Sequence, residues 1–379
     1  MKLAVLGGGQ LAAMMAEAGM PMGLDFVFLD PASDACAQRY GPLVVADWNS
    51  AAEHKDILNA DRITCDFENV PAQVLAALND AGSNHRKNRV RPNPKAFESA
   101  QDRLVEKQLL ESLGISLAPF AAVSTRPELL QALDQIGFPA VLKTRRLGYD
   151  GKGQAVLQGP EDLEPAWAEL GDADLVLEGW VDFKHECAIT AVRSLTGEIQ
   201  FYPPSWTLHS GGILRLALAP APLSGALVTQ AEQMVESLLQ ALDYVGCLTL
   251  ELFVTESGLL ANEFAPRVHN SAHWTIEGAT TSQFENHLRA VCDLPIGSTA
   301  ARGHSLMLNW IGELPDARRL LSVEGLHWHD YRKQARDGRK VGHATLTADS
   351  TEALHAGVEQ IRALLPHQWS GWLDKLRNL

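Results

Sequence analysis

The chain has 379 residues, 46% of them apolar and 21% charged, which gives two or three domains with a substantial core and excludes a small stapled scaffold, a coiled-coil or collagen rod and a disordered chain. Lysine and arginine number 32 against 46 acids, a net charge of −14, so nucleic acid and anionic membranes are disfavoured as partners and a small anionic substrate needs a local basic pocket. Five scattered cysteines, Cys36, Cys65, Cys187, Cys247 and Cys292, contain no C-x-x-C pair and predict reduced thiols in a cytoplasmic protein rather than a disulfide framework or a zinc site.

Lys2–Leu6 is an apolar run that ends in Gly7-Gly8-Gly9, and Gln10 to Gly19 carries helix formers; the opening reads strand, tight turn, helix. The run is too short for a signal segment, and no stretch approaches the roughly 20 apolar residues that span a bilayer. Asp25–Asp30, Leu43–Val45 and Arg62–Phe67 read as further buried strands alternating with helices, which predicts a parallel sheet. The first domain closes near Pro92-Asn93-Pro94, after a basic tract from His85 to Lys95 that reads as a solvated loop. From Ser99 to a stop at Gly114 runs one amphipathic helix with Leu104, Leu109, Leu110 and Leu113 on its apolar side. There follow a helix over Pro127–Ile136, a strand over Phe138–Thr144, a glycine-rich loop, a strand at Ala155–Leu157, a short helix near Glu161–Leu170 and a strand over Asp174–Val181. A larger domain begins near Lys184, with a long helix over Val228–Leu242, a hairpin over Leu248–Phe264 and a last strand and helix beyond Gly342. No internal repeat is present.

Five features carry chemistry. Gly7-Gly8-Gly9-Gln10-Leu11-Ala12 fits G-x-G-x-x-A with Asp30 at the spacing of a ribose-binding acid; the same turn also serves merely to bring a helix close to a sheet. Lys143 ends an apolar strand and leads to Gly148-Tyr149-Asp150-Gly151-Lys152-Gly153-Gln154, where three glycines let backbone N–H groups cradle phosphate oxygens beside a cation. In the hairpin, a three-residue loop pairing Thr255 with Leu259 places Glu251 opposite Glu263. Like charges that close repel, and a divalent cation bridged to a phosphate removes the penalty. Arg267, His269, Asn270 and Ser271 follow in an irregular stretch rich in orientable donors and acceptors. Last, Arg332-Lys333 and Arg336 to Lys340 form a cationic cluster in an acidic chain, either a solvated charge run or a phosphate pocket.

Lys143, the GYDGKGQ loop, Glu251 and the string Asn262-Glu263-Phe264-Ala265-Pro266-Arg267-Val268-His269-Asn270-Ser271 together resemble the ATP-grasp ligases and, within them, the 5-(carboxyamino)imidazole ribonucleotide synthase family of purine biosynthesis. Phe67-Glu68-Asn69-Val70-Pro71, Gln101-Asp102-Arg103 and Gly338-Arg339-Lys340-Val341-Gly342-His343 extend the likeness over nearly the whole chain. The resemblance implies an α/β fold of ATP-grasp architecture: a doubly wound, Rossmann-like domain over 1–98, a linker helix and small α+β lid over 99–183, and a larger α+β domain over 184–379 ending in a phosphate-binding subregion.

It further implies that Arg103, Lys143 and the loop Gly148, Tyr149, Asp150, Gly151, Lys152, Gly153 and Gln154 hold ATP. Glu178, Gly179, Trp180 and Val181 form the adenine-side strand, with Glu186, His209 and Asn262 completing the pocket. Glu251 and Glu263 bind magnesium or manganese. Tyr149, Asp150, Lys152, Arg267, His269, Asn270 and Ser271 face aminoimidazole ribonucleotide and bicarbonate, with Glu68 near the imidazole and Lys333, Arg339 and Lys340 on the ribose phosphate. The implied reaction is ATP-dependent carboxylation of the exocyclic amine through carboxyphosphate, by a homodimer. The chain departs from the family pattern at Ala12-Ala13, Asp66, Leu147, Ala272 and Asp337. The rival readings are a nicotinamide-dependent dehydrogenase using Gly7, Gly9, Ala12 and Asp30, a non-catalytic nucleotide sensor, and a formate-dependent transformylase.

Overall fold

The apolar runs near the start form a parallel sheet of β1 (Lys2–Leu6), β2 (Asp25–Asp30), β3 (Leu43–Val45) and β4 (Arg62–Cys65), ordered β3-β2-β1-β4. In this computed structural model, which describes residues 1–81, 88–148 and 152–378, Leu3 to Leu6 are fully buried, as a sheet covered on both faces requires. Leu3 and Val5 face the helices Gln10–Gly19 and Gln283–Val291, whereas Ala4 and Leu6 face the helix Ala72–Asp80.

The basic tract is not a solvated loop where it is described. Arg89 is fully buried and donates to the carbonyls of Leu58 and Leu78, at the C-terminal ends of two helices. Arg91 reaches Asp293 at 2.5 Å and the Val291 carbonyl at 2.9 Å. His85, Arg86 and Lys87 lie outside the described residues.

The single helix expected from Ser99 is two helices, Pro94–Ala100 and Arg103–Ser112. The break falls at Gln101-Asp102 because both side chains bond to the backbone. Asp102 caps the Leu104 N–H at 3.0 Å, and the Gln101 amide donates to the carbonyls of Glu68 and Val70 at 2.8 and 2.6 Å. Glu106 and Lys107 share the buried face of the second helix with Leu110.

The small antiparallel sheet has the order β5-β8-β6-β7, from β5 (Phe120–Val123), β6 (Ala140–Thr144), β7 (Gln154–Leu157) and β8 (Leu175–Gly179). Lys143 pairs with Gln154, so β6 and β7 bracket the glycine loop as expected. β8 stops at Gly179, short of the strand expected to reach Val181. Trp180 lies beyond it, about half exposed at 48%. Leu147 holds φ of +61°, a left-handed conformation costly for a side chain with Cβ.

The third sheet contains nine strands in the order β14-β13-β9-β11-β12-β15-β17-β16, with β10 paired to β9. These are β9 (His185–Arg193), β10 (Ile199–Phe201), β11 (Ser205–Ser210), β12 (Ile213–Ala219), β13 (Gly246–Thr255), β14 (Gly258–Ala265), β15 (His304–Ile311), β16 (Leu326–Asp330) and β17 (Lys340–Ala348). The helix Gly225–Ala241 covers one end with Val235, Leu238 and Leu239, and Thr351–Leu364 covers the other with Leu354, Val358 and Ile361. All five cysteines are buried and unpaired. Among the described residues no helix is long and apolar enough to cross a membrane.

Candidate active site

A cavity opens where the three sheets meet, lined by Glu68, Arg103, Gly148, Glu251, Glu263 and Arg267 among others. The hairpin that supplies two of these acids does not turn as expected. Its loop has two residues, pairing Thr255 with Gly258, not three pairing Thr255 with Leu259. Further down, Leu252 pairs with Ala261 but Leu250 pairs with Phe264, so Asn262 and Glu263 together oppose the single residue Glu251. This β-bulge absorbs the one-residue offset and brings Glu251 and Glu263 to the same cavity after all.

The two acids sit in different fields. Burial opposes charge on Glu263, but Arg103, 2.6 Å away, with Lys143 and His269 nearby, holds its carboxyl down to about 2. Burial and the nearby Glu263 and Glu186 push Glu251 up to about 7 against the pull of His209 and Lys340. His269 Nε2 lies 3.3 Å from Glu251. Among the described residues no group of three or more His, Cys, Asp or Glu side chains is arranged to hold a metal by itself. A cation here needs oxygens from a ligand or water to complete its shell.

Lys143 contacts Glu178 Oε2 at 3.1 Å, and Lys107 contacts the same oxygen at 3.0 Å. Glu178 Oε1 is buried, with no hydrogen-bond partner among the described residues. The leucine periodicity of the linker helix gave no sign of Lys107; a lysine and a glutamate on its inward side were the available signal. Lys107 also donates to the Asn262 carbonyl at 3.4 Å. Arg103 also donates to the Gly148 carbonyl at 3.3 Å, tying the lid loop to the acid pair. Tyr149, Asp150 and Gly151 lie outside the described residues. Glu186 accepts from His209 at 3.0 Å; burial disfavours charge on that imidazole, but Glu186 and Glu251 raise it above its ordinary value.

Arg267 grips Glu68 at 2.5 Å, and although burial opposes it, that contact holds the Glu68 carboxyl below its ordinary range. Asn270 and Ser271 are turned to the scaffold. Asn270 exchanges amide hydrogen bonds with Asn309 at 3.1 and 2.7 Å, and the Ser271 hydroxyl meets His269 Nδ1 at 2.9 Å. Lys333, Arg339, Lys340 and Lys152 line a second cleft with Gln10, and Lys333 donates to the side-chain carbonyl of Gln10. The cationic cluster is therefore a concave site. Lys152 joins this cleft, whereas Gln154 stays in β7, and Gly153 between them takes a φ of +69° at the parting.

The N-terminal turn is already filled. Asp66 Oδ2 accepts the N–H groups of Gly9 at 2.8 Å and Ala12 at 3.3 Å, and Asp30 accepts those of Gly8 and Ala32 at 2.7 Å each. A carboxylate of the chain occupies the helix end that a pyrophosphate would take, which corrects the dinucleotide reading. Burial pushes Asp66 up to about 7 despite those two donors.

Three family models match the chain: the ribonucleotide synthetase preATP-grasp domain over residues 1–101, the ATP-grasp domain over 108–284 and the phosphoribosylaminoimidazole carboxylase C-terminal domain over 305–357. The N5-carboxyaminoimidazole ribonucleotide synthase of Pseudomonas aeruginosa is 47% identical over 366 residues, 96% of this chain and 99% of the relative. The solved N5-carboxyaminoimidazole ribonucleotide synthetase of Thermus thermophilus superposes with a TM-score of 0.89 at 47% identity, covering 96% of this chain and 99% of that one. The Aspergillus clavatus N5-carboxyaminoimidazole synthase, solved with ADP and 5-aminoimidazole ribonucleotide, gives 0.86 at 30% identity over 99% and 98% of the two chains.

Proposed function

The chain belongs to the N5-carboxyaminoimidazole ribonucleotide synthase family of ATP-grasp ligases, and on that premise we propose that it carboxylates the exocyclic amine of 5-aminoimidazole ribonucleotide with bicarbonate, through carboxyphosphate. The observation that carries this reading is the meeting of Glu251 and Glu263 with Arg103 in one cavity, with the cleft of Lys152, Lys333, Arg339 and Lys340 near enough for Lys340 to act on Glu251. The first arrangement suits a cation–triphosphate complex and the second a monophosphate.

Two hard carboxylates that repel one another fit magnesium, and Glu251 and Glu263 would hold it. Bound there, it would neutralise charge on the polyphosphate. Arg103 and Lys143 steady the triphosphate, and Glu178 with Glu186 meets the base and ribose end. The γ-phosphoryl group passes to a bicarbonate oxygen, breaking its bond to ADP. The amine then attacks the carboxyl carbon, either of carboxyphosphate or of the carbon dioxide it releases, with phosphate as leaving group and one proton lost from nitrogen. Glu68 and Arg267, locked together, orient the imidazole, and Lys333, Arg339 and Lys340 retain the ribose phosphate. The glycine loop, closing over the cavity, keeps water from the labile intermediate.

The test is phosphate release from ATP with bicarbonate, run with and without aminoimidazole ribonucleotide, and with formate in a parallel arm. Strong stimulation by the ribonucleotide with bicarbonate is expected. Equal release in its absence, or a requirement for formate, sinks the assignment.

A further inference from the structure

His269 reaches the cavity from an irregular segment, where no ladder supplies its main chain with partners. Its carbonyl accepts from the Ala272 N–H at 3.1 Å, and a side chain supplies the rest. Gln283 Oε1 accepts the His269 N–H at 2.8 Å, and Gln283 Nε2 donates to the His269 carbonyl at 2.8 Å. The carboxamide thus pairs with one residue's backbone as a neighbouring strand would. Its orientation is fixed, because an N–H can only donate and a carbonyl can only accept.

The other side of the amide is equally committed. Nε2 also lies 3.1 Å from His273 Nδ1, which makes that ring nitrogen the acceptor and places its proton on Nε2. Burial holds His273 well below its ordinary value, so the ring is in the neutral form this bond needs. Gln283 is fully buried, and its own N–H donates to Thr275 at 3.0 Å. It opens the helix Gln283–Val291, which packs between the first sheet's core and the strands β9 and β13.

We propose that Gln283 is a positioning residue: by clamping the His269 main chain it sets the imidazole against Glu251, 3.3 Å away, and against the reacting groups. The inference rests on the reading of this cavity as the reaction site. It makes no use of a direct contact between Gln283 and substrate.

The test uses the full chain with Gln283→Glu and Gln283→Leu. A protonated carboxyl keeps the acceptor and one donor, enough to hold the His269 main chain though not His273 as well, whereas a carboxylate only accepts and would repel the His269 carbonyl. His269 and His273 touch the group, Arg267, Lys340 and His329 bear on those rings, and Cys247 and His287 adjoin its helix turn. Expressing activity as a ratio to wild type at each pH removes their shared titrations. For Gln283→Glu that ratio is expected to climb at least about tenfold between pH 8.5 and pH 6, since a displaced reacting group costs roughly 100-fold. Gln283→Leu is expected to lose kcat at every pH while KM for ATP stays within about threefold.

A flat ratio for Gln283→Glu overturns the proposal, as does a loss of ADP affinity by calorimetry in step with the loss of kcat. A wild type whose phosphate release ignores aminoimidazole ribonucleotide overturns the functional reading and the proposal with it. Stimulated wild type with a flat ratio removes the clamp alone. Should Gln283→Leu fail to fold, the pH ratio of Gln283→Glu decides.

Discussion

Glu251 and Glu263 meet across a bulge in the β13–β14 hairpin with their proton affinities driven apart, one raised to about 7 and the other lowered to about 2. The separation follows from neighbours: both are partly buried in one cavity, but only Glu263 has a guanidinium at 2.6 Å. Near neutral pH Glu263 holds the firmer negative charge and Glu251 the one more easily lost.

Cation binding should therefore displace a proton from Glu251. Apparent magnesium affinity is expected to rise by about tenfold per pH unit below pH 7 and to level off above it. Magnesium titration of ATP turnover between pH 5.5 and 8.5 reads this directly. In the ligand-free protein the sign is opposite for the two acids. Glu251's raised carboxyl favours the fold at low pH and loses that contribution as pH rises through 7, whereas Glu263's is present above the ordinary value of 4.5 and lost as pH falls toward 2. Glu251→Gln should then raise the melting temperature at pH 8 more than at pH 5.

Glu263→Gln keeps the shape but removes the charge that Arg103 and a cation share. ATP turnover is expected to fall by at least about 100-fold. Circular dichroism should match the wild type, and turnover near the native level would remove Glu263 from the cation site.

Gly7→Ala should be severe for a reason unconnected with nucleotides. Its Cβ would stand 1.3 Å from Asp66 Oδ1, and φ at Gly7 is +111°. A loss of at least about 2 kcal/mol in denaturant unfolding is expected. Adding Asp66→Ala should recover part of it, since the side chain in the way is gone. NADH should fail to bind the wild type in a fluorescence titration.

Lys333→Met tests the basic cleft. KM for aminoimidazole ribonucleotide is expected to rise by roughly 10- to 100-fold, the worth of a charge-assisted bond to phosphate, with KM for ATP within about twofold. Equal effects on both constants would place Lys333 elsewhere in the chemistry.

The parts of this site that a sequence reveals are those encoded locally. A strand, a lysine, a glycine loop and a second strand follow one another along the chain, and β6 and β7 fold as that order suggests. The acid pair is legible through its hairpin even though the turn is shorter than its residues suggest, because the bulge restores the facing that alternation demands. Lys107, Gln283 and Asp66 are not legible. Each acts on a residue distant in the chain, and only the tertiary fold joins Lys107 to Glu178 or Gln283 to His269. The triple glycine is ambiguous for a related reason. A helix end that attracts negative charge looks the same in sequence whether a cofactor or the protein's own aspartate provides it. Arg89 and Arg91 read as solvent-exposed because nothing local announces the carbonyls and the aspartate that receive them.

Asp102 caps the linker helix with Oδ1 while both its oxygens bind Arg145 of the small sheet, at 2.9 and 2.7 Å, and the Arg145 carbonyl accepts from the Arg103 N–H at 2.9 Å. Only 2% of Asp102 is exposed, and Arg146 also lies 3.2 Å from it, so pulling both arginines away would strand a charge in the interior. Mechanically this is one shared anchor placed beside the residue that grips Glu263. A change at Asp102 would therefore be felt at once in the small sheet and at the guanidinium beside Glu263, so the two cannot be loosened separately.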